Sequence, residues 1–223
     1  MPYPWLLILF FACLIPLKAQ RVIVSAMGTD SEYRVTLASQ VLGQVSHERH
    51  TGLTSGKSIL EALRGDLIRL WVHFAHGSAK RIYGNSAARG ISYLNAGLTA
   101  TRNSSPYDAP ECRSLDDLQE EIEAFQNIEF ATGATIYLGA CWIGTPDQSG
   151  IVLAQRLANI TGATVIAGRE RTEPLRENSR TLRYTNNAHF FKFLPFREPE
   201  DLGKDFDLSV LLGSTDGAQG EQK

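Results

Sequence analysis

The sequence predicts an α/β fold built on a mostly parallel sheet with helices on both faces, and three observations carry that expectation. Near-continuous apolar runs, "RVIVSA" (21–26), "LIRLWVHFA" (67–75), "ATIYL" (134–138) and "ATVIAG" (163–168), have the length and β-branched content of strands covered on both faces. Segments with helical spacing of apolar residues stand between them. Strand and helix therefore alternate, which feeds parallel pairing through right-handed crossovers.

Taken in order, the first twenty residues hold an apolar core from Trp5 to Leu17, the length of a secretory h-region and short for a bilayer span. Residues 1–20 are read as a signal peptide cleaved after Ala19, with a retained anchor or a lipid-modified Cys13 as the alternatives. The expected location is secreted or periplasmic, with membrane contact only if that segment is kept.

The strand from Arg21 ends at Gly28 and is followed by "SEYRVTLASQVLGQV" (31–45), where Val35, Leu37, Ala38, Val41, Leu42 and Val45 recur at helical spacing. A short helix is expected in "SILEALRG" (58–65), and the strand 67–75 leads into "HGS". Between Ala79 and Ser114 periodicity fails, giving a long excursion with a hairpin or helix near "GISYLNAGL". "SLDDLQEEIEAFQNI" (114–128) restores a helix with Ser114 as N-cap. The strand carrying "GACWIGT" follows, then a helix in "SGIVLAQRLANITG" stopped by Gly162, and a further strand. "TLRYTNNAHFFKFLPF" (181–196) reads as a hairpin around Asn186 and Asn187. One domain over 21–197 results, followed by an acidic tail over 198–223 in which seven Asp/Glu face two Lys.

Charge nearly balances, with 22 Lys and Arg against 24 Asp and Glu, so the chain carries no electrostatic footprint for nucleic acid. Two motifs fail on inspection. "GLTSGKS" (52–58) has three residues, not four, between its first glycine and the Gly-Lys pair, and it follows no expected strand, so it is no P-loop. An α/β-hydrolase elbow needs Gly-x-Cys-x-Gly, whereas Gly139 and Gly144 bracket Cys141 with two residues before the second glycine. Only His189 follows that cysteine as the order of such a triad requires. His47 and His50 stand in a segment read as a polar loop without a third zinc ligand. No metal or cofactor is expected.

The remaining pattern is His76-Gly77 at the end of one apolar strand and Gly139-Ala140-Cys141 at the end of a later one, 65 positions on. In an open parallel sheet, ligands bind outside the carboxyl ends of the strands, where both motifs fall. An unperturbed thiol is only a few per cent thiolate at neutral pH, so a nucleophilic cysteine needs an imidazole or another positive field nearby. His76 can supply it, whereas His73, inside the strand, reads as a packed residue. Once the leader is removed, Cys112 and Cys141 are the remaining cysteines, and an active nucleophile leaves them unpaired with each other.

This pairing resembles the caspase-like cysteine peptidases, the group of caspases, legumains, gingipains and separases, in which a His-Gly and an Ala-Cys cap neighbouring parallel strands. Within it, "YLGACWIGTPDQSGIVLAQRLANITGATVIAG" (137–168) is most similar to a bacterial caspase-like domain of unknown function found in large secreted proteins. The resemblance implies a caspase-like three-layer sandwich and a cysteine endopeptidase acting on peptides or proteins. It implies a His76–Cys141 dyad, with the N–H groups of Gly77 and Cys141 receiving the oxyanion. It also nominates Asp30 and Glu170 as pocket residues favouring a basic side chain in the substrate. The sequence departs from the caspase signature at Gly139, Trp142 and Ile143, so aspartate specificity does not carry over. The alternative is a catalytically inactive module of the same fold that binds a partner or a surface.

Overall fold

The computed structural model describes residues 20–28, 32–53, 56–78, 81–83, 90–92, 125–146, 150, 152–170, 173–174, 184–185, 189–204, 206–207 and 210–213. Its first half contains strands β1 (Arg21–Met27), β2 (Glu48–Leu53), β3 (Ile68–Phe74), β4 (His76–Ser78), β5 (Arg81–Tyr83) and β6 (Gly90–Ser92). Helices α1 (Glu32–Leu42) and α2 (Gly56–Leu63) lie between the first three strands. The second half contains β7 (Phe130–Gly139), helix α3 (Leu153–Thr161), β8 (Thr164–Gly168), β9 (Glu173–Pro174), β10 (Tyr184–Thr185), β11 (Phe190–Phe193) and β12 (Glu200–Gly203). A single turn, α4 (Val210–Gly213), ends the described chain.

Seven strands form one sheet in the order β12-β11-β8-β7-β3-β1-β2. The five from β8 to β2 are parallel, and β11 and β12 add an antiparallel edge. The α/β class and the mostly parallel sheet are thus as the alternation of apolar runs and helices implies. Handedness explains where the helices lie. The step from β1 to β2 runs one way along the sheet, and the steps from β2 to β3 and from β7 to β8 run the other way. Right-handed crossovers then place α1 on one face and α2 and α3 on the opposite face. The core divides accordingly. Val35, Ala38 and Leu42 of α1 pack with Val22, Val24 and Val72, whereas Ile59 and Leu63 of α2 and Leu157 of α3 pack with Ile23, Trp71 and Ile136.

Helix α3 stops where the sequence says it should. Gly162 adopts a left-handed φ of 71°, and its N–H returns to Ala158 O at 2.9 Å, a termination that glycine permits at no steric cost. Among the described residues, no helix is long and apolar enough to cross a membrane.

Three segments differ from their sequence reading. Residues 48–53, read as polar loop and turn, form the edge strand β2, whose partly exposed charged residues suit an edge that pairs on one side only. The proposed hairpin around Asn186 and Asn187 is not formed by its flanks: β10 pairs with β9, while β11 lies between β8 and β12. Residues assigned to the acidic tail form β12 and α4, and Phe206 and Leu211 are buried in the α1-side core. Folded structure therefore runs on to Gly213. The signal segment and most of the helix expected over 114–128 lie outside the described residues, although Phe125–Asn127 form a 3-10 turn.

Candidate active site

The carboxyl ends of β1, β2, β3, β7 and β8 all lie along one edge of the sheet because these strands are parallel. β3 and β7 are direct neighbours, in a register that pairs His73 with Leu138 and Phe74 with Gly139. Phe74 and Gly139 differ by 65 in number, as do His76 and Cys141. β3 and β7 thus end level with each other, and each motif residue follows two positions after the last registered pair, Phe74 and Gly139. The strand order reverses between β1 and β3, so His76 also borders the switch point at which α/β sheets form their ligand crevice.

Beyond Ala75 the chain leaves the main sheet and enters an antiparallel ribbon of β4, β5 and β6, in which His76 is level with Tyr83 and Gly77 with Ile82. Gly77 is pressed against the cysteine turn. A Cβ built there would overlap the carbonyl oxygen of Cys141 and come within 2.9 Å of Ile143 Cδ1 and 3.0 Å of Ala140 Cβ. His-Gly and Ala-Cys are therefore packed together, and only glycine fits at position 77. His76 and Cys141 are both half-buried, and Cys141 carries a thiol.

The turn after β7 is fastened to the end of β8. Trp142 N–H donates to Glu170 O at 3.1 Å, Gly144 N–H to Gly168 O at 2.9 Å, and Thr145 N–H back to Trp142 O at 3.0 Å. The Thr145 hydroxyl donates to Arg169 O, and Arg169 Nε–H returns to Gly144 O at 3.2 Å. The Arg169 guanidinium lies 3.7 Å over the Phe191 ring, a cation–π contact that ties the clamp to the next strand. At the centre of this turn Trp142 has a φ of 55° and is 42 % exposed. A left-handed backbone costs a bulky residue on the order of 1–3 kcal/mol and persists where the surroundings determine it.

Of the nominated pocket residues, Glu170 is exposed beside this turn through its carbonyl, while Asp30 and Cys112 lie outside the described residues. His189, two strands from Cys141 because β8 intervenes, faces Asp201 at 3.2 Å. Two strand spacings, about 10 Å, are too many for direct proton transfer to Cys141. The Gly203 N–H first, then the hydrogen bond with His189 and the nearby Arg169 charge, hold the Asp201 carboxyl below its ordinary range. His47 bonds Val45 O at 2.7 Å, and His50 stands 3.4 Å from Glu48.

His73 is fully buried, its Nδ1 2.8 Å from the Ser25 hydroxyl, which also accepts from Trp71 Nε1–H at 2.8 Å. The buried hydroxyl needs an acceptor for its own proton, and Nδ1 is the one in reach; this places the ring proton on Nε2, which has no hydrogen-bond partner. Burial pushes the imidazole pKa down to about 3. His73 is thus a packed neutral residue, as its place within the strand implies. Sequence reasoning missed Ser25 as its partner because the two belong to different strands.

A cavity of about 580 Å3, lined by residues including Gln126, Gln155, Asn159 and Phe196, opens beside α3, and none of its lining belongs to the Gly77–Cys141–Glu170 cluster. The Gln155 amide donates to Asn159 Oδ1 and Leu194 O, which fixes its orientation. Compared with family models, characterised proteins and solved structures, the chain matches none.

Proposed function

We propose that the protein is a caspase-like cysteine endopeptidase, exported from the cytoplasm, in which His76 and Cys141 act as a dyad on a peptide carbonyl. One observation carries the reading: Gly77 is seated against the Cys141 turn, just beyond the carboxyl ends of two adjacent parallel strands. That is the arrangement the His-Gly and Ala-Cys resemblance implies. The mostly parallel sheet and the helices on both of its faces support a three-layer sandwich of that kind.

In the proposed reaction the His76 imidazole accepts the Cys141 thiol proton, and the thiolate attacks the carbonyl carbon. The oxyanion is received by the N–H groups of Gly77 and Cys141, as the resemblance implies. Collapse of the tetrahedral intermediate breaks the C–N bond, with the imidazolium returning its proton to the leaving amine. Water, deprotonated by the same imidazole, then hydrolyses the thioester and regenerates the thiol. Glu170, exposed next to the turn, supplies a negative charge for a basic substrate side chain, and Asp30 is proposed for the same pocket.

Cleavage of a degenerate peptide library under reducing conditions tests the reading, with Cys141→Ala and His76→Ala as controls. We expect cleavage by the natural sequence, none by Cys141→Ala, and at least a hundredfold loss in His76→Ala, the low end of general-base contributions of about 10²–10⁴. Folded protein that cleaves nothing, with a Cys141 thiol whose alkylation is unaffected by His76→Ala, would leave the partner-binding module in its place. N-terminal sequencing of exported protein is expected to begin at Gln20 or Arg21; retention of Met1 contradicts a cleaved leader.

A further inference from the structure

We infer that Trp142 is a substrate-binding residue that receives an apolar or aromatic side chain flanking the scissile bond, an inference that rests on the peptidase reading of Cys141. Three properties coincide at this residue. It directly follows Cys141, so its Cα lies about 3.8 Å from that of the nucleophile. Its backbone is held on both sides, by Glu170 O at the N–H and by Thr145 N–H at the carbonyl. Its side chain is 42 % exposed, in contrast to the fully buried Trp71.

The left-handed φ of 55° sharpens the point. Glycine or asparagine would occupy that conformation with less strain, and Trp142 belongs to neither of the two apolar core clusters. A large, flat apolar surface on a fixed backbone binds with little loss of conformational freedom, which is why tryptophan dominates many binding surfaces. Phe196 is also left-handed and 81 % exposed, but it sits in the turn after β11, its N–H held by Asn159 Oδ1 at 2.8 Å. There, as at Trp142, a turn holds the conformation. Trp142 differs in standing at the carboxyl edge of the sheet, one residue from the proposed nucleophile.

The opposing possibility is that the indole merely obstructs the thiol. Cleavage of a position-scanned peptide library by the natural sequence, Trp142→Asn and Trp142→Phe separates the two. Asparagine tolerates the left-handed region, so the first variant keeps the turn while deleting the apolar surface. We expect kcat/KM to fall about tenfold or more on peptides with Leu or Phe at one flanking position, with little change when Ser or Gly stands there. Trp142→Phe is expected to retain most of that preference. A uniform rise over all peptides, a uniform loss, no change, or a loss confined to Lys and Arg peptides each overturns the inference. If the natural sequence cleaves no peptide, the same peptides are titrated while tryptophan fluorescence is read against the Trp142→Asn protein. Selective, Trp142-dependent binding of the apolar peptides removes the peptidase reading and the scissile bond with it, and keeps Trp142 as the residue that receives the apolar side chain. Absence of such binding overturns both.

Discussion

Gly77 and Cys141 touch through the backbone: the α-carbon of the one faces the carbonyl oxygen of the other so closely that no methyl group fits between them. Gly77→Ala should therefore move the cysteine turn. Overpacking of this kind costs about 1–3 kcal/mol, and here the obstructing atoms are a main-chain oxygen, Ile143 Cδ1 and Ala140 Cβ. We expect a lower urea midpoint and slower alkylation of Cys141 in the residual folded protein. Unchanged stability and reactivity would mean that the two motifs are not packed together.

His73 makes the fold acid-sensitive. Its folded pKa of about 3 lies below the ordinary value of 6.5, so between these limits the unfolded chain takes up a proton that the folded one does not. No penalty exists above pH 6.5, and stability falls as pH drops below it, by about 1.4 kcal/mol per unit at the steepest, until about pH 3. His73→Gln should flatten the stability profile between pH 6 and 4, measured by urea unfolding at each pH. An unchanged slope would contradict the buried neutral imidazole.

Arg21 donates through Nε and Nη2 to the Glu48 carboxylate, both at 2.6 Å, and through Nη1 to Arg64 O at 2.8 Å beyond the end of α2. Its hydrogen bond holds the Glu48 carboxyl below its ordinary range, with burial opposing. That contribution is present above the ordinary glutamate pKa and is lost as pH falls through the lowered folded value, a more acidic window than the upper part of the His73 effect. Arg21→Ala, which also leaves the Ala62, Leu63 and Arg64 carbonyls at the end of α2 without this donor, should cost about 1–2 kcal/mol. Glu48→Gln should cost less, because the carboxylate is 42 % exposed. Thermal melts of both variants at neutral pH check the order.

Glu170→Gln should lower kcat/KM about tenfold for peptides with Lys or Arg at the cleaved position and leave neutral peptides unaffected. Its backbone bond to Trp142 is retained by the substitution, so a loss on every peptide would point to a disturbed turn rather than to charge.

The strands visible in the sequence were those buried on both faces. β1, β3, β7 and β8 read as continuous apolar runs because helices cover them above and below. β2, "ERHTGL", offers no such run, since its outer edge meets no further strand of the sheet, and it passes for a loop. Phe190, Phe191 and Phe193 signal a strand but not its neighbours, which is why the hairpin reading failed. At the candidate site, His76, Gly77 and Cys141 were legible as the ends of apolar runs. The Thr145–Arg169–Gly144 clamp and the Ser25–His73 bond were not, because each joins residues that only the sheet order brings together.

The position of β1 inside the sheet, between β2 and β3, sets the order in which the chain can organise itself. As it is synthesised from its N-terminus, β1 has no partner until residues 48–53 emerge, and its second side stays open until 68–74 follow. β3 then waits across residues 75–129 for β7. Closing so long a segment for a parallel ladder is slow, and the unpaired strands remain exposed in the meantime. Cys141 consequently reaches its place only after β1, β2 and β3 are available to one another. Any thiol chemistry that depends on its neighbours arises only when the segments carrying His76 and Cys141 have been joined.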